Sequence, residues 1–359
     1  MSNYKIIDVS HNPKEDKIFF GDYSGFIRID QVSHEAARKL KDGAEGNTWF
    51  SKEVNMKEDK SKFDTLPEDA KTVFKLNICY QVLMDSFVTA GIGECIISCI
   101  STPIWDLLYR RISYEESIHA ESYSYCLSEV FGSETSKILN LVYEDKHVQS
   151  RMEKEVELFG DLHEALESGN IEVKKIALLR AIMALYCLES IKFPFSFLVT
   201  FTINDSYNNS IPGFTNNIRL ISHDELNTHV PTGILLMKTL RNEPHQGFSS
   251  LFESGWFNKT LIEMVKEVVE QELEWAKYLF DGKEVKGINY NISEYFIKWR
   301  ACISLRLVGI DDKDNPYTEY VDNTTTRFFD NYRNVNKQNA ALQETDNTSY
   351  QKGQLTNDL

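Results

Sequence analysis

The chain has 359 residues, long enough for a large core and for one or two domains. A formal net charge of -15 argues against general nucleic-acid binding but leaves protein partners open. No run of about eighteen unbroken apolar residues occurs, so no membrane span is expected; the densest stretch, 181–201, is interrupted by Glu189, Lys192 and Pro194. No basic-then-apolar leader opens the chain. The six cysteines form no CxxC motif and fall mostly in apolar helical patterns, as reduced core thiols of a cytoplasmic protein would.

Residues 1–64 read as an N-terminal arm and leading segment. Periodicity is weak over 1–40, with a short aromatic run at Phe19-Phe20, and Trp49-Phe50 follows a Gly-rich loop. Thr65-Leu-Pro-Glu68 resembles a capping box. From there an apolar 3.6-residue pattern runs to about Ala90, where Gly91 and Gly93 break it. Asp85 is the single carboxylate in its second half, flanked by Leu83, Met84 and Phe87. A second helix starts at Thr102-Pro103, where Thr suits the cap and Pro the first turn, and ends at Gly132. Glu116, His119 and Tyr123 are spaced i, i+3, i+7, so they share one face of it. More helix fills 134–168. The next, about 171–206, is apolar nearly all round at its centre and belongs in the core. Glu189 lies in that centre, with Phe193 and Phe197 following on the same stripe, and Pro194 should kink it. After an Asn/Pro/Gly turn at 208–213, another helical pattern carries Ile221, Asp224, Glu225 and His229. Helices at about 259–281 and 292–308 follow. With no strand-rich region, the expected class is all-α, a helical domain over 65–315. Residues 316–359 form an extension that reads as disordered from about 334.

A buried carboxylate is costly unless paired or bound to a metal. Asp85, Glu116, Glu189 and Glu225 each sit in an otherwise apolar helical setting, and His119 and His229 stand one turn after two of them. Four carboxylates and two histidines on four helices are the donor set of a dinuclear carboxylate site. Glu144 and His147 repeat the Glu-x-x-His spacing, but charge surrounds them on every face, as on a solvated helix. For any one of the six buried donors, a hydrogen-bonded core residue is the blander reading; the full set in helical order favours metal.

At this point the sequence resembles the small, radical-bearing subunit of class I ribonucleotide reductase, a ferritin-like di-iron family, over nearly its whole length. The resemblance rests on Tyr80-Gln-Val-Leu-Met-Asp85-Ser, Glu116-Ser-Ile-His119-Ala-Glu-Ser-Tyr123, Leu188-Glu189-Ser-Ile-Lys-Phe193 and Arg219-Leu-Ile-Ser-His-Asp224-Glu225. It implies a ferritin-like helical bundle holding two iron ions per chain, or manganese, activated by O₂. It implies a stable radical on Tyr123, kept dry by Phe193, Phe197 and Ile221. It implies export of that radical to a large catalytic subunit, which reduces ribonucleotides, with Trp49, Asp224 and the tail residue Tyr350 on the route. Asp224 would hydrogen-bond the metal-bound His119, and Glu344 matches an acidic companion of Tyr350. A homodimer joining the large subunit as a heterotetramer is also implied, with the last residues, around Leu355 and Leu359, docking to it.

One departure stands out. The family's second pair is Glu-x-x-His, whereas Glu225-Leu-Asn-Thr-His229 has one residue more. Spacing of i, i+4 still leaves both side chains on one face. Pro231 removes the backbone bond to Asn227, so a local bulge there would absorb the extra residue. The alternatives are a ferritin-like di-metal oxidase or oxygenase with its own substrate pocket, and a helical scaffold without catalysis.

Overall fold

The computed structural model describes residues 17–22, 26–27 and 34–334. Glu344, Tyr350, Leu355 and Leu359 lie outside them. Among the described residues the secondary structure is helical, save one isolated antiparallel bridge between Phe19 and Ile100.

Ten helices frame the site: α1 (Glu35–Gly46), α2 (Glu68–Gly91), α3 (Pro103–Phe131), α4 (Glu153–Glu167), α5 (Ile171–Cys187), α6 (Phe193–Ser206), α7 (Pro212–Asp224), α8 (Val230–Asn242), α9 (Trp256–Phe280) and α10 (Tyr290–Leu307). α2 packs on α3, α3 on α7, α7 on α6 and α6 back on α2, which closes a ring of four around the core. This is a ferritin-like helical bundle. Outside the ring, α1 lies on α3, α4 on α5 and α10 on α9. The run Glu68–Cys99 is long and apolar enough, by length and composition, to cross a membrane. Here it is an inner helix of the ring, and Asn77, Gln81 and Asp85 along it are all buried.

Two joints in the bundle are wide π turns. Leu188–Lys192 joins α5 to α6, and Glu225–His229 joins α7 to α8. Each is followed within two residues by a proline, Pro194 or Pro231, seated in the first turn of the next helix. Pro194 has no N–H to give the carbonyl of Ser190. Arg300 Nε donates to that oxygen instead, at 2.7 Å. The helix therefore runs on through the proline rather than stopping there.

Several local expectations change. The Gly-bearing stretch before Trp49 is not a loop but the end of α1, with Gly43 and Gly46 inside the helix. Thr65 does not cap: α2 starts after Pro67, and the Thr65 hydroxyl donates to the Lys62 carbonyl. Thr102 precedes α3 without a side-chain cap bond, because its hydroxyl donates to the Lys17 carbonyl at 2.8 Å. That bond ties residues 17–22 to the start of α3. The helix expected over 134–168 is broken into Thr135–Leu139, Leu141–Glu144, Lys146–Ser150 and α4. Asp145 makes one of the breaks: it is extended and caps the next helix by accepting from the His147 and Val148 N–H groups.

Candidate metal centre

Each of the four ring segments delivers a donor to the same point. α2 supplies Asp85, α3 supplies Glu116 and His119, and the two π turns supply Glu189, Glu225 and His229. All six are buried. The two carboxylates Glu116 and Glu225 stand between the two histidines. His229 Nδ1 is 3.0 Å from Glu116 Oε1 and 2.8 Å from Glu225 Oε2. His119 Nδ1 is 3.6 Å from Glu116 Oε2 and 3.2 Å from Glu225 Oε1. Each carboxylate thus turns one oxygen to each imidazole. Asp85 flanks His119, at 3.9 Å. Glu189 closes the other half: donor atoms of Glu116, Glu189, Glu225 and His229 all lie within 4.8 Å of one another, as do those of Asp85, Glu116 and His119.

The π turn explains the extra residue after Glu225. A π turn holds more residues than an α turn, so i and i+4 come into line where an α-helix aligns i and i+3 less closely. Both side chains then face the same point. Glu144 and His147 do not even share a helix, and both are exposed.

The donor set fits cations. Both oxygens of Asp85, Glu116, Glu189 and Glu225, and Nδ1 of both histidines, are buried without a hydrogen-bond partner. Such atoms are rare in folded proteins unless an ion or water completes them. The electrostatics agree. Burial, then the neighbouring Glu116, pushes Asp85 well above the ordinary carboxylate range. Burial and the charge of Glu225 do the same to Glu189. Burial alone would raise Glu225 too, but the charge of His229, with the other close neighbours, outweighs it and holds the carboxyl well below that range. Burial would lower both histidines, yet the surrounding carboxylates raise them.

The comparisons with known proteins agree with this geometry. Residues 27–314 match the family model described as "Ribonucleotide reductase, small chain". The chain belongs to the ribonucleotide reductase small-chain family. The ribonucleoside-diphosphate reductase beta subunit of Buchnera aphidicola subsp. Schizaphis graminum is 24% identical, over 97% of this chain and 95% of that one. The beta subunit of Enterobacteria phage T4 is also 24% identical, covering 99% and 96%. The ribonucleotide reductase R2 subunit from Clostridium botulinum superposes with a TM-score of 0.81 at 22% identity, covering 92% and 98%. The dimanganese(II)-NrdF of Streptococcus sanguinis gives 0.64 at 19%, covering 86% and 99%.

Beyond the donors, this small chain carries a second layer of residues packed around them. His119 Nε2 meets Asp224 Oδ2 at 3.2 Å, and the same oxygen accepts from Trp49 Nε1 at 2.8 Å. The Trp49 ring stacks on His119, centroids 5.9 Å apart. Burial raises Asp224, but bonds from His119, His223 and Trp49 outweigh it and hold the carboxyl at about 2. Tyr123 is fully buried and its hydroxyl has no partner. Burial, then the charges of Asp85 and the other three carboxylates, raises its phenol well above the ordinary range. Phe193, Phe197 and Ile221 are fully buried, with the two phenylalanine rings stacked at 5.9 Å. One pair went unread in the sequence: Glu115 and Arg111. Spaced i, i+4 in a polar run, they look like a solvated ion pair, and only the fold shows Glu115 buried against His229.

Proposed function

We propose that this small chain generates a radical on Tyr123 and passes it to the large subunit of ribonucleotide reductase, where ribonucleotides are reduced. The observation that carries the proposal is a partnerless buried phenol within the field of a partnerless cage of carboxylates and histidines. Asp85, Glu116, His119, Glu189, Glu225 and His229 are the proposed ligands of two iron ions, or manganese. Such a pair, reacting with O₂, supplies the oxidising power for a one-electron oxidation of a nearby phenol.

The side chains do the rest. With such a pair bound as the oxidant, Tyr123 would be the side chain that loses one electron, its phenolic proton passing to a carboxylate of the cage, which would leave a neutral radical. Phe193, Phe197 and Ile221 offer no exchangeable proton, so they suit a dry pocket. Trp49, bonded through Asp224 to His119, gives an oxidisable side chain two hydrogen bonds from the cage. Tyr350, outside the described residues, is the further relay proposed.

The self-contained oxidase fares less well. The cavity that reaches Glu189 and His229, lined also by Tyr109, Ile112 and Tyr186, is about 20 Å³. That holds a water-sized molecule and no organic substrate. The test is to load the protein with ferrous iron, admit O₂, and record its optical and electron paramagnetic resonance spectra. A tyrosyl radical is expected in the native chain and none in Tyr123→Phe, with iron loading equal in both. Turnover with the large subunit should disappear with the radical. A normal signal in Tyr123→Phe would move the radical to another tyrosine.

A further inference from the structure

The two histidines are held from behind in different ways. His119 leans on Asp224 and Trp49. His229 leans on Glu115: its Nε2 is 3.1 Å from Glu115 Oε2, while its Nδ1 faces oxygens of Glu116 and Glu225 at 3.0 and 2.8 Å. Glu115 is 2% exposed. Its other oxygen, Oε1, accepts from Arg111 Nε at 3.1 Å. Arg111 Nη2 in turn donates to the Ala44 carbonyl at 3.1 Å and to Thr48 Oγ1 at 3.0 Å. Thr48 precedes Trp49. Both histidines are therefore traced, each through one carboxylate, to the end of α1 and the residues just after it.

We propose that Glu115 is the positioning residue of the His229 half of the centre, with Arg111 anchoring it to α1. The proposal rests on the dinuclear reading above. An ion pair that served α3 alone would use Glu115 against Arg111 and nothing else. Here the two oxygens divide the work: one holds the guanidinium and the other holds the imidazole. With Nε2–H donating to a carboxylate, the Nδ1 lone pair points into the cage and becomes more basic. A carboxylate behind a ligating histidine acts in this way, and its loss typically weakens metal binding about 10–100-fold. A neighbouring acid directly before the Glu-x-x-His pair thus has a task distinct from that of Asp224: each acid governs one half.

The two halves can be read separately. Manganese(II) is titrated into the native chain, Glu115→Ala, Glu115→Gln and Asp224→Ala. Bound ion is followed by electron paramagnetic resonance, and each position is located by anomalous diffraction. In Glu115→Ala the ion among Glu116, Glu189, Glu225 and His229 should weaken by about 10–100-fold, before the ion among Asp85, Glu116 and His119 is affected. Glu115→Gln keeps an oxygen for the Nε2–H and should restore most of the affinity. Asp224→Ala should show the mirror pattern. If the single variant does not fold with Arg111 left unpaired, Glu115→Ala with Arg111→Ala carries the same comparison. Native affinity at both positions in the alanine variant would overturn the proposal, as would equal loss at both positions in Ala and Gln variants. A native chain that fails to take two ions would overturn the dinuclear reading itself.

Discussion

Single residues decide the chemistry because the cage is assembled from atoms that nothing else satisfies. Glu116 is the most exposed to test, since its two oxygens face different histidines. Glu116→Ala and His119→Ala should each abolish loading of a metal pair, measured as bound metal per chain. Glu144→Ala combined with His147→Ala should leave loading unchanged, because these exposed residues sit in separate helices. Equal metal loss in both sets would overturn the choice of site. The histidines carry a second lesson. Their outward nitrogens meet Asp224 and Glu115, at 3.2 and 3.1 Å, which holds each ring with its other nitrogen turned inward.

At the scale of elements, the π turns matter most. Each brings a carboxylate to the centre and is followed by a proline in the next helix. The helix that leads into the second turn is itself held at its start from far away in sequence. Asp59 accepts from the Gly213 and Phe214 N–H groups at 2.9 and 3.0 Å, capping α7 from outside. Gly213 is needed there: a β-carbon would come within 2.6 Å of the Asn55 carbonyl oxygen and 2.5 Å of Met56 Sδ. Asp59→Ala leaves two buried donors without acceptors and should cost about 2 kcal/mol. Denaturant unfolding should show a lower midpoint at unchanged slope. An unchanged midpoint would show that water replaces the carboxylate at no cost.

Across the whole molecule, a buried charge network fastens outer helices to the ring. Arg151, fully within the core, forms a two-pronged pair with Glu272 of α9, at 2.7 and 2.6 Å. Its guanidinium lies 3.6 Å from the Tyr80 ring centroid on α2 and bonds Ser196 of α6. Lys192, at the end of the first π turn, pairs with Glu155 of α4 at 2.6 Å. Such pairs contribute less than their number suggests, because desolvation offsets much of the attraction, but breaking one strands a charge. Glu272→Ala should therefore destabilise the protein by about 3–5 kcal/mol, whereas Arg151→Met with Glu272→Leu should come close to neutral. Calorimetry on both variants separates the two effects. Comparable losses would show that the pair itself stabilises the fold.

The helical class, the ring helices and the buried setting of the six candidate donors were legible in the sequence because each leaves a local trace. A 3.6-residue apolar period marks a buried helix, and a lone carboxylate or histidine on its apolar face has no bland partner nearby. Asp85, Glu116, His119, Glu189, Glu225 and His229 each show that contrast. Even the extra residue after Glu225 was readable, since Pro231 marks a place where the helix must give. Tertiary structure decided what distant parts do to one another. Thr102 and Thr65 look like caps, but their hydroxyls serve carbonyls elsewhere. Asp59 looks like a surface acid, yet it caps a helix more than 150 positions away. Glu115 and Arg111 look like a surface ion pair, until His229 arrives from another helix to claim one oxygen. A periodic pattern reports which face of an element is buried; it holds no information about which buried group from elsewhere will stand opposite.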